Sequence, residues 1–277
     1  MAAPPKGARP EFPWWLLAAC LLGLWLLAAI LLDPVYSQIL AILSKGIGVT
    51  VYVTVTAFAL AAALGLALAV CVLSRSVILR QAARFYIEIV RGIPILVLLF
   101  YIAFVAVPGL VAGWNALAAP LGLDPLATRD ISFLWRAVIA LMLGYAAFIA
   151  EVFRAGIQSV DPGQVEAAKA LGLTAWQRFR LVVLPQAVRT ILPPLGNDFI
   201  AMIKDSALVS VLGVADITQL GKVYAAGSFR FFETYNVVAF LYLVMTVGLS
   251  LLLRALERRL RNRAPPPQGL KPPGPAG

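Results

Sequence analysis

The sequence predicts an all-α membrane protein, a polytopic bundle of about six transmembrane helices. Three observations carry this prediction. Of 277 residues, 61% are hydrophobic and 13% charged, where a soluble domain has roughly half and a quarter. The apolar residues gather into six runs, most of them near the roughly 20 residues that cross a bilayer core as helix. Lys and Arg fall unequally on the two sides of those runs. A mean hydropathy of +0.90 agrees with a chain whose solvent is largely lipid.

Residues 1–13 are polar and Pro-rich, with Lys6 and Arg9. The first run is Trp14–Leu32. A signal peptide is the alternative, but the run is too long for a signal core, and Leu31-Leu32-Asp33-Pro34 makes a poor cleavage site. The second run is Gly46–Leu73 and the third Phe85–Val107. A mixed loop, 108–131, precedes the fourth run, Ile131–Phe153. A long charged segment, 154–194, separates it from the fifth, Leu195–Val214, which charge interrupts. Tyr235–Leu253 is the sixth. The tail, Arg254–Gly277, starts as a basic helix end and finishes Pro/Gly-rich, a composition of disorder.

The formal net charge is +10. The basic residues lie mainly between and after the apolar runs, so they set topology rather than bind nucleic acid, and no nucleic-acid-binding signature accompanies them. Lys6, Arg9, Arg75, Arg80, Arg84, Arg154, Lys169, Arg178, Arg180, Arg189 and the Arg254–Lys271 tail fall on one side. Lys45, Arg129, Arg136, Lys222 and Arg230 fall on the other. The asymmetry predicts both termini and segment 154–194 in the cytoplasm. Cys20 and Cys71 sit far apart inside apolar runs and read as small buried hydrophobes. The chain has no histidine, which excludes His-based triads and His-ligated metals. Neither catalytic residues nor a metal or cofactor site are expected.

Segment 154–194 carries the most informative pattern. Asp161-Pro162-Gly163-Gln164 is a helix start: Asp161 caps, Pro162 suits the first helical position, and Gln164 completes a capping-box-like pair. The helix ends at Gly172. Thr174-Ala175-Trp176-Gln177 starts a second helix in the same way, with Trp176, Phe179, Val182 and Val183 at helical spacing. Pro185 and Pro193-Pro194 punctuate the return to the membrane. A short rigid helix outside the membrane can act as a lever for a partner. An ordinary amphipathic interfacial loop explains the same residues equally well.

Glu166-Ala167-Ala168, then Gly172, then Leu184-Pro185 resembles the EAA loop of binding-protein-dependent ABC importer permeases. Further segments are in register with it: Phe153-Arg154-Ala155-Gly156-Ile157, Ala170-Leu171-Gly172-Leu173, Val183-Leu184-Pro185-Gln186-Ala187, Leu192-Pro193-Pro194-Leu195-Gly196-Asn197, Lys204-Asp205-Ser206-Ala207-Leu208-Val209-Ser210 and the Arg254–Leu260 tail. Arg91-Gly92-Ile93-Pro94 fits too. Together, over roughly 45–260, they resemble the polar amino-acid permeases of the histidine/glutamine/glutamate/arginine/opine group. The resemblance implies a MetI-like domain at 45–256, with five core helices and its EAA loop at about 154–194. Residues 1–44 would add an N-terminal helix and external loop, and 257–277 a basic tail. It implies a bacterial inner membrane location and import of a polar amino acid. It also implies partners: cytoplasmic ABC ATPase subunits, a second permease subunit (identical or related) and an extracytoplasmic amino-acid-binding protein. The EAA helix would couple to the ATPase through Gln164, Glu166, Ala167, Ala168, Lys169, Leu171 and Gly172.

Ionisable groups at membrane depth are costly and usually face the bundle interior or water. Glu88 and Arg91, three apart, fit a local ion pair on one helix face. Asp198 and Asp205, seven apart, fall on one face of a helix, with Lys204 about 100° round from Asp205. They are candidates for a substrate path holding an α-ammonium or a cationic side chain, which tilts the substrate toward basic amino acids. Asn197 and Ser206 flank them with groups suited to a carboxylate. The structural alternative has Lys204 neutralising Asp205 and Asp198 capping the fifth helix. There is no P-loop, since Gly221-Lys222 precedes Val223 and position 216 is Asp, so energy must come from a partner ATPase or an ion gradient. A gradient-driven transporter should show a doubled inverted repeat, and no second copy of 154–194 is present. A scaffold that merely recruits a partner has no use for charges in the fifth run. A permease of this architecture for another substrate class is the remaining rival.

Overall fold

The computed structural model describes residues 14–262, and all of its regular structure is helical. The polar stretch 1–13 and the Pro/Gly-rich end of the tail lie outside the described residues, as does the side chain of Cys20. Helix α1 (Trp14–Leu32) is apolar on every face. At 1.5 Å per residue its 19 residues reach about the thickness of a bilayer core. It ends at Asp33, whose carboxylate accepts the Val35 N–H at 2.8 Å and caps α2 (Pro34–Leu43), with Pro34 in the first turn. The sequence reading placed 34–44 in an external loop. Instead, α2 runs through a single 3₁₀ turn, Ser44–Gly46, into α3 (Ile47–Leu73), making one apolar stretch of 40 residues.

The third apolar run divides. Its first residues end an amphipathic helix, α4 (Val77–Gly92), and the crossing that follows is Ile95–Leu121. Pro94 explains the break, because proline forces the residue before it out of the helical region, and Ile93 is extended. The crossing contains α5 (Ile95–Tyr101), a π turn at Ile102–Ala106 and α6 (Val107–Ala118). Much of 108–131, read as loop, is therefore helix. Helix α7 (Phe133–Gln158) is capped by Ser132, which accepts the Trp135 N–H. Arg136, counted above as an external charge, is buried. Its guanidinium donates to the carbonyls of Ile131, Ala103 and Thr128 and lies 4.7 Å from the centre of the Phe133 ring.

Short α8 (Pro162–Ala170) and α9 (Ala175–Arg178) follow. A π turn at Phe179–Val183 leads into α10 (Leu184–Asp205), which runs unbroken through Pro193-Pro194. The fifth helix thus begins about ten residues earlier than the apolar run. It gives way at Asp205 to a 3₁₀ segment, Ser206–Leu212. Helix α11 (Ile217–Ser228) is capped by Asp216, and α12 (Phe231–Asn262) closes the described chain. Helices 34–73, 95–121, 133–158 and 231–255 are long and apolar enough to cross a membrane. With α1 and the charged α10 they make the polytopic bundle that the sequence predicts.

α3 and α7 form the centre. Val53, Ala57, Ala61, Gly65 and Ala69 recur every fourth residue and are all buried, the small-residue stripe that lets membrane helices approach closely. A Cβ on Gly65 would lie 2.9 Å from Ile149 Cγ2. α5, α10 and the 206–214 segment complete this core. A second cluster joins α1, α2, α11 and α12 through Ile30, Ile39, Leu43, Ile217 and Val237.

Candidate functional site

Two regions hold the residues singled out from the sequence. The first is the segment around α8. Asp161 caps it, accepting the Gly163 N–H at 2.8 Å. Gln164 does not complete a capping box. Its side chain accepts instead from Gln186 Nε2 on α10, at 2.7 Å. Gly172 ends the helix with a φ of +78°, a conformation open to glycine and costly for other residues, and its N–H donates to the Lys169 carbonyl. Thr174 and Gln177 form the reciprocal capping box that starts α9.

α8 has a buried side and a free side. Val165 packs on a cluster of Val160, Ala187 and Ile191, and Ala168 is buried. Glu166, Ala167 and Lys169 are exposed. So are Leu171, at 81%, and Trp176, at 66%, the latter stacked on Phe179. These large exposed apolar side chains stand beside a polar helix at the end of the bundle, where either a partner protein or the membrane interface could cover them. On the inner side the segment is tied to both neighbours. Gly156 of α7 lies so close to Ile191 of α10 that a Cβ there would overlap its side chain, and the Gln164–Gln186 bond adds a polar link.

The second region is the face of α10. Asp198 and Asp205 belong to one unbroken helix, as their spacing requires, and Asp198 is two-thirds of the way along it rather than at its start. Lys204 is exposed and does not neutralise Asp205. The Asp205 carboxylate accepts the Tyr145 hydroxyl of α7 at 2.7 Å. Asp198 Oδ2 is buried, with no hydrogen-bond partner among the described residues. Asn197 is exposed. Ser206 is fully buried and spends its hydroxyl on the Ile203 carbonyl, at 2.7 Å. The structure therefore brings Asp205 and Tyr145 together, leaves Asp198 with unused hydrogen-bonding capacity, and turns Ser206 away. Sequence reasoning missed Tyr145. A tyrosine inside an apolar run carries a hydroxyl needing a partner at membrane depth, but nothing local says which helix supplies it.

A further group of charges, Glu88, Arg91, Glu151 and Arg154, gathers at the α8 end of α7. Glu151 and Arg154 form an ion pair at 2.6 Å, and Arg154 also donates to Gln158. Glu88 and Arg91 do not pair. Arg91 lies over the Phe148 ring, 5.5 Å from its centre.

Comparison with known proteins agrees with this architecture. The model of a family described as binding-protein-dependent transport system inner membrane component matches residues 61–262. The glutamine transport system permease protein GlnP of Escherichia coli (strain K12) is 39% identical over 184 residues, 66% of this chain and 77% of that one. A crystal structure of an amino acid ABC transporter with histidines superposes with a TM-score of 0.66 at 38% identity, over 79% of this chain and 94% of that one. The inward-facing MetNI methionine ABC transporter superposes with a TM-score of 0.61 at 22% identity, over 79% and 96%, a likeness of fold.

Proposed function

We propose, from the premise that this chain belongs to the family of binding-protein-dependent transport system inner membrane components, that it is the permease subunit of an ABC importer for polar amino acids. Import draws on ATP hydrolysed by a partner subunit, and the amino acid arrives from an extracytoplasmic binding protein. A second permease subunit completes the path. The basic asymmetry supports an orientation in the inner membrane with both termini and α8 in the cytoplasm.

The observation that carries the mechanism is the two-sided placement of α8. Its free side, with Glu166, Lys169 and Leu171 and the nearby Trp176, is the docking surface for the ATPase. Its inner side is keyed to α10 through Val165, Ala187, Ile191 and the Gln164–Gln186 bond. Displacement of α8 by the ATPase is therefore passed to the helix that carries Asp198 and Asp205. Packed elements shift as units between discrete arrangements. Asp198 and Asp205 face the substrate, and a carboxylate with unused acceptor capacity favours a cationic group. MetI-like boundaries at 45–256 follow the same reading, with α1 and α2 as an N-terminal addition.

The test is ATP hydrolysis co-purifying with the tagged chain from its native membranes in mild detergent, wild type beside Gly172→Pro. Proline cannot adopt the φ of position 172 and removes its N–H bond to Lys169. Activity accompanying wild type and lost from the variant is expected. A clean wild-type preparation with no ATPase subunit would remove the ABC reading.

A further inference from the structure

α4 presents three distinct stripes. Ala83 and Ile87 are buried against Val72 of α3 and Ala150 of α7. Arg80, Arg84, Glu88 and Arg91 recur at i, i+4, i+8 and i+11, a second stripe. Ile78, Ala82, Phe85 and Ile89 recur at i, i+4, i+7 and i+11 on a third. Ile78 is 82% exposed and Phe85 71%. A helix with an apolar stripe that its own chain leaves bare, beside a basic stripe, lies in the membrane interface. It sits at the α8 end of the bundle, since it packs on the last turns of α7.

The basic stripe opens on a cleft of about 360 Å³ between α4 and α7, lined by Arg84, Glu88, Arg91, Glu151, Arg154 and Gln158. Much of this charge is already spoken for. Arg80 donates to the Ser74 carbonyl, and Arg154 is held by Glu151 and Gln158. Arg84 and Arg91 make no hydrogen bond or ion pair among the described residues; Arg91 lies over the Phe148 ring, and the charges of both act on Glu151 across the cleft. Three guanidiniums against two carboxylates leave one net positive charge in the cleft. Two arginines with free planar donors match a phosphate diester. Glu88, beside them, can accept from hydroxyls.

We propose that this cleft binds the headgroup of one anionic glycerophospholipid, of the phosphatidylglycerol type. The phosphodiester sits between Arg84 and Arg91, the glycerol hydroxyls donate to Glu88, and the acyl chains run along Ile78, Phe85 and Ile89. Basic pockets between membrane helices are suited to anionic headgroups, and the single net positive charge matches a lipid of charge −1.

The experiment titrates phosphatidylglycerol into nanodiscs of phosphatidylcholine holding the full-length permease with its co-purifying subunits. Bound lipid is read by native mass spectrometry after release. Wild type is expected to keep one phosphatidylglycerol per permease chain. Arg84→Gln/Arg91→Gln should keep at least about tenfold less, and Arg84→Lys/Arg91→Lys should restore part of the difference. Ile78→Ser/Phe85→Ser should also lose retention. Because these four side chains are exposed or contact only a ring face, the variants leave the core intact. Equal retention by wild type and the glutamine variant would overturn the proposal. So would retention undiminished in the serine variant, which removes the apolar stripe from the site, or displacement of the lipid by millimolar glycerol phosphate, which assigns the cleft to a free anion.

Discussion

Gly46 has room for no side chain. A Cβ there would lie 2.5 Å from the Ile217 backbone nitrogen and 2.6 Å from the Asp216 carbonyl carbon. This close approach lets the start of α11 seat against α3, where the Ile217 N–H donates to Thr50 Oγ1 and Asp216 accepts from Tyr242 and Gln219. Gly46→Ala is expected to destabilise the protein by about 1–3 kcal/mol, the usual cost of overpacking, because backbone cannot step aside as a flexible side chain would. Gly48→Ala, two residues on and facing open space, should be neutral or slightly stabilising. Thermal unfolding of the detergent-purified variants compares the two, and a Gly46→Ala variant no less stable than Gly48→Ala would show that the close approach to α11 is not what Gly46 provides.

The helices owe their ends and irregularities to prolines and caps. Each π turn stops one residue short of a proline's predecessor: Ile102–Ala106 is followed by Val107-Pro108, and Phe179–Val183 by Leu184-Pro185. Proline lacks an N–H, and its ring collides with the carbonyl four residues back. A locally widened turn moves that carbonyl aside, so both helices continue. At Pro94 the helix breaks, whereas α10 continues through Pro193-Pro194 without a π turn. The cap of α8 carries a measurable consequence. Asp161→Ala removes the acceptor for Gly163 N–H, which costs about 1 kcal/mol in typical helices. Hydrogen exchange of the amides in 162–170 should rise about fivefold, since 1 kcal/mol is that factor at room temperature. Unchanged exchange would mean that packing of Val165 and Ala168 alone holds the helix.

Across the bundle, α7 and α10 act as a pair. Gly156 against Ile191 joins them near α8, and Tyr145–Asp205 joins them at the other end of α10. The pair thus links the exposed surface of α8 to the two carboxylates. Asp198→Asn/Asp205→Asn should lower arginine or lysine uptake into proteoliposomes at least about tenfold, given the 1.5–3 kcal/mol of a charged hydrogen bond, while ATP hydrolysis persists. Undiminished uptake of the cationic substrate would remove both residues from the path. The α7–α10 contacts then remain as structure alone.

Sequence by itself determined the fold class, the apolar runs and the caps at Asp161, Gly172 and Thr174. Those signals are local: hydropathy over one crossing, or a side chain meeting a backbone N–H two or three residues away. The spacing of Asp198 and Asp205 was legible for the same reason, because helical periodicity follows from position alone. Hydropathy misplaced the ends of the third and fifth crossings, since α4 and the first half of α10 are helices too polar to register as apolar runs. Only the tertiary structure decided that Tyr145, not Lys204, meets Asp205, that Gln164 reaches Gln186, and that Ser206 is turned inward. These contacts join residues 60 and 22 positions apart, or depend on which face of a helix its neighbours cover. Such pairings are set by how helices pack, and packing is a property of the whole bundle.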